Sequence, residues 1–410
     1  MVLALVALFA TGVLGGGIGG SSSGDYRLIG DGIRVDLPAP VNDEPAVEWS
    51  ARSAGFAQSA VQVGNVIAVL SSDGDRAELA GLDASSGEER WVARLGRGFG
   101  SQVLASDVLV VSVGGQDGAR LLGIDPRNGE EVWEEELRTM FGDVFMQTDN
   151  NGRIIVQTFD GGSGDEILRL DPRDGETTRL ARGSGLRLTP AGILEVRDGR
   201  ITGMSSDDGE RLFRFNAREL RDVGQFGFPA VTARDGVVYL AVEDDLAAYD
   251  TDGERLWSER TDIGSAFSVS VTDRGHVLVA GSDGTELRDG DGGLLWDDRD
   301  PIFAAGRFGG VELGVSFRND DLDYVDLATG DRPGRRVRIE FQGGDGDSFF
   351  YAADTVYVPD FERDEIVAHR LPSGERLWSA DAQGRFLGNV FPLDRALLVV
   401  TDDDEVTLLR

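Results

Sequence analysis

The sequence has no cysteine. A disulfide, a thiolate nucleophile, a Cys-ligated zinc site and a lipid-bearing N-terminal Cys are therefore excluded. The absence leaves the compartment open, because many exported proteins carry no disulfide. Lysine is missing as well. All 40 basic residues are arginine, against 73 Asp and Glu, for a net charge of −33. An acid excess of this size repels phosphate backbones and argues against nucleic-acid binding. A high-GC genome and a salty habitat account for the balance, with a cationic partner as the alternative.

Histidine is scarce. His276 and His369 both stand in strand-like repeat positions, and neither has a second His at metal spacing. A structural role is expected for each. The nucleophile elbow G-x-S-x-G, the zinc motif HExxH and a Walker loop are absent. GRGFG at Gly96–Gly100 resembles a phosphate loop only on its surface, because no helix follows it; an inter-strand loop is expected. No segment keeps a helical period over eleven residues. Arg218–Val223 is the one place where a single helical turn is expected.

Long apolar runs are also lacking, with one exception. Val2–Leu14 reads VLALVALFATGVL and is followed by GGGIGG. Thirteen residues suit a signal-peptide core better than a membrane span, which needs about 20. No basic residue stands before the run. Residues 1–20 are read as a signal peptide or membrane anchor, and a buried core strand is the alternative. Residues 21–46, with SSSG and a Pro-broken DLPAPVNDEP, are read as a flexible linker holding a short strand around Tyr26–Val35.

What is abundant is glycine, 57 residues against 12 proline, and it is placed periodically. GLDASSGEERW (Gly81–Trp91) is followed by GIDPRNGEEVW (Gly123–Trp133), AYDTDGERLW, LRDGDGGLLW and HRLPSGERLW. A glycine precedes each tryptophan by four residues: Gly87 and Trp91, Gly129 and Trp133, Gly253 and Trp257, Gly292 and Trp296, Gly374 and Trp378. Degenerate copies put Arg179, Phe213 and Gly334 in the Trp position. Trp49 carries a split copy, so all six tryptophans fall on one repeat position. The spacing runs from 34 to 46 residues. Within each unit four short apolar or alternating runs are bounded by Gly, Asp and Asn turns, the pattern of a four-stranded antiparallel sheet.

Four short strands every 40 residues or so make an all-β fold, a β-propeller over residues 47–410. The ends complement each other. Three strand runs follow Trp378 without a fourth, and VEWS at Val47–Ser50 is a fourth strand without companions. Pairing them closes the ring and removes both sheet edges. The intervals count nine blades.

The L-D-x-x-x-G-E-x-x-W repeat resembles the tryptophan-docking repeat of pyrroloquinoline-quinone-type propellers over residues 47–410. The resemblance implies eight blades, with each Trp packed between neighbouring blades over the turn glycine of an adjacent repeat. It also implies one of two functions. Quinone-dependent dehydrogenases of alcohols or sugars bind pyrroloquinoline quinone with calcium, over a Trp floor. Scaffold propellers bind no quinone, as in the propeller lipoprotein of the outer-membrane β-barrel assembly machine. The compact repeats and the lack of a vicinal Cys pair look more like the scaffold group. Neither calcium ligands nor a catalytic Asp can be placed on a motif. The Asp-rich stretches Asp289–Asp291, Asp345–Asp347 and Asp402–Asp404 invite a calcium reading, but they lack the full loop with its terminal Glu, and turn chemistry is expected. The expectation is thus a monomeric exported scaffold that binds a protein or peptide, plausibly basic, with no catalytic residues, cofactor or metal. A quinone- and calcium-dependent dehydrogenase and an extracytoplasmic sensor domain are the alternatives.

Overall fold

The computed structural model describes residues 27–410 apart from 31–32, 37, 74, 116–117, 140–143, 149–152, 159–163, 184, 190, 218–219, 221–228, 309, 319–320, 339–349, 361, 382–385 and 402–403. The apolar run at Val2–Leu14, Asp345–Asp347, Asp402–Asp403 and nearly all of Arg218–Val223 lie outside the described residues.

Nine antiparallel sheets follow one another along the chain. Blades 1 to 8 occupy residues 56–97, 99–137, 144–183, 186–216, 230–260, 266–298, 302–338 and 350–381. Blade 9 takes three strands from residues 386–409 and its fourth, Val47–Arg52, from the other end of the chain. Trp49 stands opposite Leu408 in that pairing, so the ring closes as the complementary ends require. The interval count of nine is correct, and the eight blades implied by the family resemblance are not. The 34-residue interval before Phe213 holds a complete blade. Its strands Leu186–Thr189, Gly192–Arg197, Arg200–Met204 and Arg211–Asn216 are merely short.

Burial follows position within the blade. Second strands such as Val66–Ser72 and Ala396–Thr401 are buried at every residue. They are covered on both faces by neighbouring blades and therefore read as unbroken apolar runs. Fourth strands, such as Arg255–Arg260, are exposed at most positions and form the outer rim. First strands of successive blades lie beside one another and line the axis. The core is correspondingly divided into nine apolar clusters, and each joins two adjacent blades.

Two strands fall within the stretch read as linker. Arg27–Gly30 and Ile33–Asp36 form a hairpin, where a single short strand was expected. The hairpin adds to the first strand of blade 7, Ile302–Phe308, making that sheet six-stranded.

Candidate functional site

The repeat motif builds two local devices. The first is a turn. The Asp83 carboxylate accepts hydrogen bonds from the Ser85 and Ser86 N–H groups, and Gly87 N–H returns to the Asp83 carbonyl at 2.8 Å. Asp125, Asp171 and Asp326 repeat this arrangement. Ser205 does so with its hydroxyl. Asp289 likewise accepts from Asp291 and Gly293 N–H, so that part of the Asp-rich sequence is turn chemistry. These bonds favour the ionised carboxyl. Asp83, bonded by Ser85 and Arg90, is held well below the usual carboxylate range.

The second device is a bulge beside each docking residue. Register shifts one step from the Trp pairing in blades 1, 2, 5, 6, 8 and 9 and from the Phe213 pairing in blade 4, each time skipping the residue before the ring, whereas in blade 3 the skipped residue, Leu180, follows Arg179. A bulge bends the strand and re-aims its side chain. Each tryptophan is thereby turned toward the neighbouring blade.

Trp49 covers Gly87, Trp91 covers Gly129, Trp133 covers Gly175, Trp257 covers Gly292, and Trp296 covers Gly330. Each indole N–H donates to a carbonyl of that same turn, as Trp91 does to Pro126 at 3.0 Å and Trp133 to Pro172 at 2.9 Å. Trp91 is also backed by Gly81 of its own strand pair. The leading Gly of GLD and GIDPR therefore has a role that periodicity alone did not reveal.

Three junctions depart from the motif. Phe213 stacks on Gly203 of its own blade, while Phe215, two residues on, covers Gly253. The rings of Phe213 and Phe215 lie 5.9 Å apart, so two side chains share one tryptophan's work. At Arg179 and Gly334 no ring intervenes, and the backbones close on each other directly. Gly209 packs against the Leu180 carbonyl, and Gly374 against that of Arg335, whose N–H bonds Ser373 at 2.8 Å. At the closing junction Trp378 donates to the Val41 carbonyl at 3.0 Å. Val41 is buried, and its N–H donates to Tyr357 Oη at 2.8 Å. The chain before the closing strand thus stands in for the turn that blade 9 lacks.

The histidines serve the scaffold. His369 Nδ1 lies 3.2 Å from the Gly374 carbonyl, and burial pushes its pKa down. His276 closes a tight turn with Thr272. Gly96–Gly100 spans the step from the rim strand of blade 1 to the first strand of blade 2; only Gly98 lies outside the two strands, so the expected inter-strand loop is a single residue.

Two surfaces remain for recognition. On the rim, Leu212, Leu256 and Leu295 immediately precede the repeat-position aromatics Phe213, Trp257 and Trp296 on three successive blades and are 57%, 51% and 45% exposed; Leu294 beside them is 51% exposed. Near the axis, an ionic cluster spans blades 5 to 7. Asp273 is flanked by Arg307 at 3.3 Å and Arg234 at 3.5 Å. Its N–H donates to Glu312 Oε1 at 2.7 Å. Burial raises the Glu312 pKa above its ordinary 4.5, and the Asp273 charge adds to this. A raised carboxyl stabilises the fold most below its unfolded pKa, and that contribution is lost as pH rises. Glu312→Gln keeps an acceptor for the Asp273 N–H. Its stability relative to the parent should therefore improve as pH rises from about 4 to 7 in urea titrations. A difference that stays flat with pH would contradict this.

The strands, their order and the docked aromatics define a nine-bladed β-propeller. A family model described as outer membrane protein assembly factor BamB matches residues 34–179. The chain is similar to the crystal structure of BamB from Moraxella catarrhalis, with 17% identity and a TM-score of 0.45, covering 89% of this chain and 99% of that one. It is also similar to the Swd1 β-propeller domain from Myceliophteria thermophila, with 12% identity and a TM-score of 0.42 over the same shares. No curated protein matches the chain.

Proposed function

We propose that this protein is a non-catalytic scaffold propeller, exported across the cytoplasmic membrane, that binds a protein partner. The observation that carries the reading is the row of rim leucines. One exposed leucine is ordinary, but the same exposed position on three successive blades is the kind of apolar feature that marks a binding surface. The family model's description as an assembly factor supports the same class of function. The apolar run Val2–Leu14 supports export or anchoring. A net charge of −33 favours a basic partner and salt-sensitive association by a monomer.

The test is crosslinking in the native envelope, comparing the parent with a variant carrying Leu212→Glu, Leu256→Glu and Leu295→Glu. Charges in a desolvated interface should cut partner capture at least tenfold with an unchanged melting temperature, on the order of the loss expected when an interface core is disrupted. Undiminished capture would remove the rim from the account. Saturable, calcium-dependent binding of pyrroloquinoline quinone, read from the cofactor's absorbance, would overturn the non-catalytic reading itself.

A further inference from the structure

Charge is spread unevenly over the outer rim. The chain as a whole has 73 acidic residues against 40 arginines. The rim strands of blades 3 and 4, Thr177–Gly183 and Arg211–Asn216, reverse that balance. They carry Arg179, Arg182, Arg211 and Arg214 and no acid, and all four arginines are exposed. Other rim strands have the opposite sign: Glu131–Leu137 of blade 2 reads EVWEEEL, and Leu294–Asp298 of blade 6 reads LLWDD. Leu212, the most exposed large apolar side chain among the described residues, falls in sequence between Arg211 and Arg214. We propose that the outer rim of blades 3 and 4 docks an acidic segment of a partner protein, whose carboxylates pair with these arginines and whose apolar side chains cover Leu212.

Three observations carry this. The arginines belong to one surface. The Gly209 turn of blade 4 closes on the Leu180 carbonyl of blade 3, between Arg179 and Arg182, and Arg211 follows that glycine by two residues. Their charge is also poorly neutralised within the fold. Arg179 and Arg182 share one carboxylate, Glu166, at 3.4 and 3.5 Å, and Arg211 and Arg214 have no ion pair among the described residues. In the adjoining turn Asp207 pairs with Arg153, and Asp208 accepts from the Glu210 N–H. Finally, two of the three departures from the tryptophan motif fall on these adjacent blades, as Arg179 and Phe213. Breaks in an otherwise consistent pattern concentrate where a surface serves more than stability. The occupant's chemistry follows. Guanidinium groups take carboxylates in paired hydrogen bonds, and an exposed leucine at a binding surface takes an apolar cover. The net charge of −33 favours a basic partner from a distance, but charges are screened beyond about 8 Å at physiological ionic strength. Contact charges decide what seats, and on this rim they are positive. A long polyanion would meet the surrounding acid excess, whereas a short acidic segment does not.

This proposal names the partner chemistry of the rim and rests on the scaffold reading for its biological role, but its test needs no native partner. The probes, added to the full chain, are synthetic peptides of about ten residues, long enough to follow a rim strand. One is made of Glu, Leu and Ser; a second has Arg for each Glu; a third has Ser for each Leu. The Glu–Leu peptide should bind one to one, protect the amides of Thr177–Gly183 and Arg211–Asn216 from hydrogen exchange, and weaken as salt rises. The peptide without Leu should bind more weakly. Arg211→Glu/Arg214→Glu should weaken the Glu–Leu peptide about tenfold, the effect of reversing two exposed charges. The same charge change on blade 8, Arg363→Glu/Arg370→Glu, should leave its binding within about twofold. These four side chains are exposed, and unchanged melting temperatures verify both folds. No protection of the two strands at millimolar peptide, an equal loss in both double variants, or equal seating of the Arg–Leu peptide there would overturn the proposal. So would a thymidine oligonucleotide that protects the same amides, or a parent dimer that Arg211→Glu/Arg214→Glu dissolves, since the occupant would then be a nucleic acid or a second copy. Any of these failures leaves the non-catalytic reading standing, which falls instead to calcium-dependent binding of the quinone.

Discussion

Trp91→Ala should lower the folding stability by about 3–5 kcal/mol, the range for removing a large aromatic from a close-packed site. The indole is 8% exposed and lies between two backbones. A Cβ added at Gly81 would come within 2.1 Å of the ring, and one at Gly129 within 2.5 Å. Neither glycine has a side chain to move into the space, so the cavity cannot collapse without backbone movement. The Pro126 carbonyl would also lose its donor. The converse change, Gly129→Ala, puts a methyl into the ring and into a φ of +73°, and should cost about 1–3 kcal/mol from overpacking and more from strain. Combined, the two should cost clearly less than their sum, because removing the indole makes room for the methyl. Trp257 is only half-buried, so Trp257→Ala should cost less than Trp91→Ala. Urea titration with Trp91→Ala within about 1 kcal/mol of the parent would show that the girdle is not what joins the blades.

Much of this architecture was legible because it is repeated. Eight copies of one turn and seven aromatics at one repeat position average out local noise, so the four strands of each blade, the blade count and the closing strand at Val47–Ser50 could be read from spacing alone. The count was more dependable than the analogy, since the intervals measured this chain whereas eight blades came from a resemblance. Features that occur once were not legible. Val41 replaces a turn without any D-x-x-x-G signature, because what Trp378 needs is a carbonyl, and every residue has one. The hairpin pairs with a strand some 280 residues away through main-chain groups, which leave no trace in the sequence. Phe213 and Phe215 share a strand face, since side chains alternate with period two, and composition could not say which covers Gly253. The candidate surfaces were the least visible. A leucine before a docking aromatic looks like core until the rim strand is seen to face water, and Asp273, Arg307 and Glu312 converge only when blades 6 and 7 are side by side.

The same invisibility attends the second large effect, expected at Arg288. Arg288 and Glu286 stand two residues apart on the third strand of blade 6 and so share a face. Their side chains are 8% and 6% exposed, and Arg288 Nη2 lies 2.6 Å from Glu286 Oε2. The pair also ties blade 6 to blade 5. Arg288 donates to the Gly292 carbonyl, beneath Trp257, and to the Arg260 carbonyl on the neighbouring rim strand, and Glu286 Oε1 accepts from Asp262 N–H. Breaking a buried pair by removing one partner leaves a charge without compensation, so Arg288→Met should cost about 3–5 kcal/mol. Glu286→Leu should cost a comparable amount. The double variant Glu286→Leu/Arg288→Met buries no charge and should recover more than about 1 kcal/mol relative to the sum of the singles. It should not reach the parent, since the Gly292 and Arg260 carbonyls and the Asp262 N–H lose partners, at about 1–3 kcal/mol for each group left unsatisfied. Additive single effects would show that the guanidinium is held by packing rather than by its partner.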